Sequence, residues 1–327
     1  MVDYLQSNTT EVSDNDTSGH CGILDDGADH VSDAGLATDD DDPTRLPLWN
    51  SAYYESCTLA FEDLKNAGWN DWDMNDLVLD VTSFYIVNQS DEIESMIVTY
   101  EVLARGAGMD SQLHLDLSFS GTAHWQRILL DNTGQIDELI TGTGEGTASI
   151  QAWSSSKDVL PAYTTLKHKW GAARTERFDD SEDSKAAVIT VYFNDPGANP
   201  LAGFSESPHD TWIHIPSTQQ DIHRVEYDLT SSQIVLEGPL FGRSMPFAVK
   251  LDTAFVWPAE NQPIWLSHPG YVDYVKSAGV LNSDWASNYD YWRVWFDRQG
   301  MMNGGVYNPV SAHDIYKDYV DTWATDD

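Results

Sequence analysis

The stretch WNDWDMNDLVLDV, residues 69–81, runs from a polar loop into an apolar segment of strand length, and similar segments recur along the chain. Gly, Asn, Asp and Pro separate these segments, as is typical of strands joined by turns. Because no long helical pattern alternates with them, the sequence predicts an all-β fold, an antiparallel β-sandwich of the jelly-roll type. Further strands are predicted at residues 96–100, 113–117, 187–193, 212–215, 234–236 and 247–251. Short peripheral helices are predicted at residues 270–278 and 311–323.

The polar half of the same stretch carries alternating oxygen donors. Asp71, Asp73 and Asn75 are two residues apart, so their side chains can converge on one point of a curved loop. Ca²⁺ takes six to eight oxygen ligands at about 2.3–2.6 Å, and such loops provide them. The alternative is that these acids only cap a turn. We expect a Ca²⁺ site formed by Glu62, Asp63, Asp71, Asp73, Asn75 and Asp76.

The loop begins as an EF-hand loop does, but its second half differs. An EF-hand loop requires Gly at its sixth position and a bidentate Glu at its twelfth. With Asp71 at the first position, those two positions hold Asp76 and Thr82. The sequence therefore excludes an EF-hand and leaves a calcium loop of another kind.

The charge of the chain restricts its partners. The 327 residues include 17 Lys and Arg against 53 Asp and Glu, which gives a formal net charge of −36. Nucleic acids and anionic membrane surfaces are repelled by such a charge, and no basic cluster offsets it locally. Asp outnumbers Glu by 39 to 14, and Asp favours turns and metal loops over helices. The composition therefore favours cations as partners.

The chain divides into three segments by composition. Residues 1–57 form an acidic N-terminal arm, residues 58–286 the β-sandwich domain, and residues 287–327 an aromatic and acidic C-terminal extension. Residues 1–45 contain twelve acids, so the arm lacks the apolar content to fold alone. We expect it to dock on a neighbouring subunit or to pack on its own domain. A disulfide between Cys21 and Cys57 would hold it there in a secreted protein, and buried thiols are the alternative.

Several functional classes lack their sequence signals. No apolar run approaches the roughly 20 residues of a membrane helix, so no membrane insertion is expected, and the acidic N-terminus is not a signal peptide in this numbering. The Gly-rich stretch at residues 142–146 lacks the Lys-Ser/Thr ending of a phosphate loop, and a G-x-S-x-G elbow is absent. We therefore expect a protein that is not an enzyme.

Two side-chain clusters have alternative interpretations. His209, Asp210 and His214 lack a third nitrogen or thiolate ligand, so they are interpreted as a strand-end cluster and not as a transition-metal site. The aromatic residues near the C-terminus have two interpretations. They fill the core or an intersubunit contact, which is the interpretation we favour, or they form a platform that binds sugars. These aromatic residues are Trp285, Tyr289, Tyr291, Trp292 and Trp295.

Several motifs in order resemble the LruC domain family over roughly residues 58–286. The sequence Phe-Glu-Asp-Leu at residues 61–64, followed by the acidic loop and its strand, is similar to the family's hallmark near the start of the domain. Residues 103–108, Leu-Ala-Arg-Gly-Ala-Gly, resemble its turn after a strand, and residues 242–260 resemble its late strand pair. Asn70 stands where the family has Gly, and Met74 where it has Tyr or Phe, but neither change removes an oxygen ligand.

The resemblance implies a secreted or surface-exposed bacterial protein with a calcium loop and no established catalytic activity. Together with the acidic arm, it predicts an extracellular calcium-binding structural or surface protein that assembles through its terminal arms into a homo-oligomer or polymer. The alternative is a carbohydrate-binding adhesin module that contacts surface glycans through the aromatic residues.

Overall fold

The structure is a computed structural model that describes most of the domain between residues 51 and 289. The described residues are 51–63, 70–88, 90–106, 109–161, 173–175, 184–194, 199, 209–223, 232–235, 238–251, 255–259, 262–277 and 284–289. The predicted arm up to residue 50, the helix at residues 311–323 and Cys21 lie outside them. Within the described residues, no helix is long and apolar enough to cross a membrane.

Eleven strands are described. They are β1 (Ser51–Phe61), β2 (Leu77–Val87), β3 (Ile93–Ala104), β4 (Gln112–Leu130), β5 (Ile136–Trp153), β6 (Ala186–Phe193), β7 (His209–Ile215), β8 (Gln220–His223), β9 (Ser232–Ile234), β10 (Ser244–Pro246) and β11 (Ala248–Leu251). Three short α-helices accompany them: α1 (Ser156–Val159), α2 (Ile264–Ser267) and α3 (Tyr271–Lys276). Single 3-10 turns cover Gly238–Leu240 and Trp285–Ser287.

Nine of the described strands form one large antiparallel sheet, which folds into two facing layers. Its order is β11-β1-β2-β3-β6-β4-β7-β8, with β5 paired to β4, while β9 and β10 form a separate pair. Strand β4 serves both layers, because Ala123–Leu130 pair with β6 and Gln112–Leu117 pair with β7. The register along β4 shifts between Ser118 and Thr122, where the two halves meet. The predicted all-β, antiparallel sandwich is confirmed.

The two layers face each other across an apolar core. Tyr100 of β3 shares a hydrogen bond of 2.9 Å between its hydroxyl and Thr211 Oγ1 of β7, and its ring meets the edge of Trp153 at the end of β5. Tyr85 of β2 likewise contacts the ring of His209. Alternating apolar residues of β2, β3, β4 and β6 fill the space between the layers, as expected for strands with one buried face.

The sequence prediction omitted β5, the partner of β4 along most of its length. The Gly-rich stretch at residues 142–146 lies within this 18-residue strand. A Cβ atom on Gly142 would overlap the ring of Trp125 on β4, so glycine makes room for a cross-strand aromatic residue. The stretch is therefore a strand that packs against large neighbours, which agrees with the rejection of a phosphate loop.

Strand β1 links the predicted arm to the domain. It starts at Ser51 and pairs with β2 over its whole length, so residues 51–57 of the arm segment are part of the large sheet. Cys57 on β1 is buried and has no disulfide partner among the described residues, and its predicted partner Cys21 lies outside them. The disulfide stays a prediction.

Candidate metal centre

The antiparallel pairing of β1 and β2 brings together two acidic segments that are separated in sequence. Phe61, the last residue of β1, is paired with Leu77, the first residue of β2. Glu62 and Asp63 therefore leave the sheet at the same edge where Asp76 enters it. The backbone N–H of Asp63 donates to Asp76 Oδ2 at 2.7 Å, which fixes this contact.

The loop before β2 has an alternating backbone conformation. Trp72 and Met74 have φ angles of 59° and 54°, in the left-handed region that side chains rarely adopt. Both side chains are buried, and the Trp72 ring stacks on Phe247 with centroids 5.8 Å apart. The core contacts of these two residues stabilise the strained loop. Asp71, Asp73 and Asn75 occupy the alternate positions of the loop.

Local hydrogen bonds hold the loop in this shape. Asn70 Oδ1 accepts from the backbone N–H of Trp72 at 2.8 Å, and Asp73 Oδ1 accepts from the backbone N–H of Asn75 at 3.3 Å. Both are side-chain turns in which Asn or Asp bonds the chain two residues on. The carbonyl of Trp72 in turn accepts from the N–H of Ile264 at 2.8 Å, so helix α2 supports the loop from the far side.

The carboxylates form two overlapping groups. One oxygen from each of Glu62, Asp71 and Asp73 lies within 4.8 Å of the others, and the same holds for Glu62, Asp63 and Asp76. Glu62 belongs to both groups. The structure thus places the other four predicted acids around the buried side chain of Glu62.

Three buried oxygens of this centre have no hydrogen-bond donor among the described residues. They are Glu62 Oε1, Asp71 Oδ1 and Asn75 Oδ1, and both Glu62 and Asn75 are fully buried. Asn75 uses its Nδ2 to donate to the carbonyl of Pro258 at 2.9 Å, which leaves its oxygen as the available group. A buried polar atom without a partner costs free energy, so these oxygens are suited to a ligand that accepts lone pairs.

The electrostatics of the centre are unfavourable without a cation. Burial, and then repulsion from Asp76, Asp73 and Asp71, raises the pKa of Glu62 well above its usual range. Burial and the charges of Asp63 and Asp71 do the same to the pKa of Asp76, and burial raises the pKa of Asp71. Within the described part of the chain, neither Glu62 nor Asp76 has a Lys or Arg within ion-pair distance.

Gly106 is a further residue of the centre, and the sequence analysis did not assign it there. Its backbone N–H donates to the carbonyl of Asp76 at 3.0 Å. A Cβ atom on Gly106 would lie 2.7 Å from both Asn75 Oδ1 and Asp76 Oδ1. The chain after β3 therefore passes directly over two oxygens of the centre, and only glycine fits.

The structure also agrees with the exclusion of an EF-hand. Thr82, which would occupy the twelfth position of such a loop, is the sixth residue of β2 and pairs with Ser56 of β1. The acids that lie beside the loop therefore come from the end of β1 and not from residues downstream of the loop.

Asp210 and His214 of the predicted cluster lie on the outer face of β7, whereas His209 is buried and faces the core. His114, Trp212 and His223 form a stack across β4, β7 and β8, with ring centroids 4.2 and 5.3 Å apart. His214 Nδ1 lies 2.7 Å from Asp221 Oδ1, and His223 Nδ1 lies 2.5 Å from Asp210 Oδ2. Each imidazole is thus engaged by a ring or a carboxylate, as expected for a cluster of strand residues.

Of the aromatic residues near the C-terminus, some are described by the structure and others lie outside the described residues. Trp285 is buried, and its ring meets Tyr271 edge-on with centroids 4.6 Å apart, next to Phe255 and His268. Tyr291, Trp292 and Trp295 lie outside the described residues. Every described tryptophan is buried or half-buried: Trp72, Trp125, Trp153, Trp212, Trp257, Trp265 and Trp285.

A family model described as "Domain of unknown function (DUF4842)" matches residues 91–285, more than half of the chain. The chain belongs to this family. The matched part of the DUF4842 chain begins at Asp91, so it includes β3, Gly106 and the segments that pack against the loop. Glu62 and the loop from Asn70 to Asp76 precede it.

Several solved structures are similar to this chain. One of them is described as a "Putative lipoprotein from Bacteroides ovatus", is 16% identical, and matches 76% of each chain with a TM-score of 0.48. No match is found among curated proteins.

Proposed function

We propose that this DUF4842 protein is an extracellular calcium-binding structural or surface protein in which Ca²⁺ joins the acidic loop to the end of β1. One observation carries the proposal. The fully buried Glu62 has an oxygen without a donor and lies among four other acids. Such a group is stabilised when a cation supplies the missing positive charge.

The ligand chemistry favours Ca²⁺ over other metals. The candidate ligands are carboxylate and amide oxygens, which hard cations prefer, and the described centre has no His or Cys. Six side chains that converge from a loop and a strand end can provide the six to eight oxygens of Ca²⁺. Mg²⁺ fits less well, because it keeps several waters and is rarely held by an all-protein cage.

The proposed location outside the cell rests on the resemblance to LruC domains and on concentration. Extracellular calcium modules bind with a Kd of about 10⁻⁴ to 10⁻³ M, so a site of moderate affinity is filled there. The net charge of −36 also suits a protein that is exposed to abundant cations. No catalytic step is part of the proposal.

Self-assembly is the second part of the proposal. The hairpin of β4 and β5 is an apolar surface suited to it, on which Ile136 and Leu139 are 57% and 54% exposed, and Phe241, at 70%, is exposed outside this hairpin. Among the described strands, β5 pairs only with β4, so its other edge is open to a further strand. The terminal arms, which we predicted as the contacts, lie outside the described residues.

Removal of calcium tests the first part. A metal that binds only the folded state at about 100 times its Kd adds about 2.7 kcal/mol to the free energy of unfolding, or roughly 5–10 °C of melting temperature. We expect EGTA to lower the Tm of the wild type by this amount. In the double variant Asp71→Ala, Asp73→Ala, EGTA should lower the Tm by clearly less than it does in the wild type.

The matched control removes charge elsewhere. Glu145 is exposed on β5, so Glu145→Gln should keep the full response to EGTA. A wild-type Tm that EGTA does not change would contradict calcium binding, and an equal response in the Asp71 and Asp73 variant would place the ion elsewhere.

Glycan binding stays the alternative. A sugar platform requires an exposed aromatic face, and each described tryptophan is at least half-buried, so any platform would involve undescribed residues such as Trp292 and Trp295. A glycan array, with Trp292→Ala as the comparison, distinguishes the two functions.

A further inference from the structure

The two carboxylate groups of the centre have different members apart from Glu62. Asp71 and Asp73 belong to the first group, which comes from the loop, and Asp63 and Asp76 belong to the second, at the junction of β1 and β2. Ligand oxygens around one Ca²⁺ lie at most about 5 Å apart, twice the metal–oxygen distance. Each group meets this condition with its 4.8 Å spread, whereas the five acids together are not one such set.

We infer that the centre takes two calcium ions, which share the carboxylate of Glu62. The first ion is held by Glu62, Asp71 and Asp73, and the second by Glu62, Asp63 and Asp76. This inference rests on the proposed calcium binding and specifies its stoichiometry and its bridging residue.

The charge of the centre favours a second ion. Glu62 and the four aspartates carry a charge of −5 when ionised, and all but Asp71 are buried. One Ca²⁺ would leave three uncompensated negative charges in or near the core, whereas two leave one. Because uncompensated buried charge is costly, the doubly loaded centre is the more stable one.

The oxygens that lack donors are distributed over both positions. Asp71 Oδ1 belongs to the first group, and Glu62 Oε1 belongs to the side chain that both groups share. Asn75 Oδ1 lies beside Asp76 Oδ1 under Gly106, so it extends the second group. Each position therefore includes an oxygen that has no hydrogen-bond donor among the described residues.

The hydrogen bonds of Glu62 and Asp76 suit ligands of two ions. Glu62 Oε2 accepts the backbone N–H of Met74 at 3.3 Å, and Asp76 Oδ2 accepts the N–H of Asp63. These bonds orient the two carboxylates, which also share a side-chain hydrogen bond with each other. Carboxylates held in this way are preorganised, because their rotamers are fixed before the ion binds.

Calorimetric titration of the full chain with Ca²⁺ measures the stoichiometry. The titration is done in roughly 1 M NaCl, where the Debye length is about 3 Å, so that diffuse binding to surface acids is suppressed. We expect two ions for the wild type. The variants Asp71→Asn, Asp73→Asn and Asp63→Asn, Asp76→Asn remove equal charge from the first and second position, and each should bind one ion.

The control pair Glu145→Gln, Asp284→Asn removes the same charge from exposed positions and should still bind two ions. Circular dichroism of each variant without Ca²⁺ verifies that the β structure is retained. A wild type that binds one ion overturns the two-ion centre but leaves calcium binding intact. A wild type that binds none overturns both. If the Asp71→Asn, Asp73→Asn variant and the Asp63→Asn, Asp76→Asn variant each still bind two ions, the ions lie elsewhere and the inference is overturned.

Discussion

Gly106 controls how closely the chain after β3 approaches the oxygens of the centre. In Gly106→Ala, the new Cβ would lie 2.7 Å from Asn75 Oδ1 and Asp76 Oδ1 and 2.8 Å from the Asp76 backbone. The two oxygens must therefore shift by several tenths of an ångström, and a metal site requires tighter placement than that. We expect the affinity for Ca²⁺ to fall about tenfold, which corresponds to about 1.4 kcal/mol, measured by calorimetry.

Gly146→Ala is the matched control for this prediction. Gly146 has a φ of 70° and no atom near its Cβ position, so alanine there strains only the backbone. It should lower the free energy of unfolding by about 1–2 kcal/mol without a change in calcium affinity. Equal calcium affinities in the Gly106 variant and the wild type would show that the oxygens near Gly106 do not bind the ion.

At the scale of the secondary-structure elements, the hairpin of β4 and β5 is the best candidate for a contact between copies. Ile136, Leu139 and Ile140 are exposed near its turn. Because side chains alternate along a strand, these residues expose apolar surface on both faces of the hairpin. We expect a second copy to cover this surface when Ca²⁺ reduces the repulsion between chains. Leu139→Asp should then lower the oligomeric mass measured by light scattering in Ca²⁺.

Thr143→Asp tests whether the effect is specific to the apolar surface. Thr143 is exposed on the same strand, so this variant adds the same charge to β5 away from the three apolar residues. It should associate as the wild type does. A protein that stays monomeric in Ca²⁺ at all concentrations would contradict the assembly.

The elements also show which features a single sequence predicts. Strands with continuous apolar runs, such as β2 and β6, were predicted because burial on one face determines their pattern. Strand β5 was missed, because its glycines accommodate Trp125 and Phe119 of another strand, and the sequence order does not reveal that contact. The candidate ligands Asp71, Asp73 and Asn75 were predicted from their spacing. The role of Gly106 and the division into two groups depend on strand pairing, so they could not be predicted from the sequence.

At the scale of the whole molecule, net repulsion outweighs the ion pairs. The described ion pairs on the surface, such as Lys185–Asp137 at 2.5 Å, are partly exposed, so salt weakens a small stabilisation there. The pair of Lys250 and Glu55, at 3.1 Å, is nearly buried and is screened little. Against these few pairs stands an excess of 36 negative charges, whose mutual repulsion opposes the compact state.

Salt should therefore stabilise this protein even when the loop acids of the metal centre are removed. In the Asp71→Ala, Asp73→Ala variant, we expect the free energy of unfolding by urea to rise as NaCl increases from about 0.01 M to 0.1 M, because the Debye length falls from about 30 Å to about 10 Å. MgCl₂ should produce the same rise at a lower concentration, since divalent ions are attracted more strongly to a surface of this charge. Urea is uncharged, so the denaturant itself does not screen. If the free energy of unfolding of this variant is independent of NaCl, the surface acids are solvated well enough to repel one another weakly, and the stabilisation by Ca²⁺ in the wild type then comes from the centre alone.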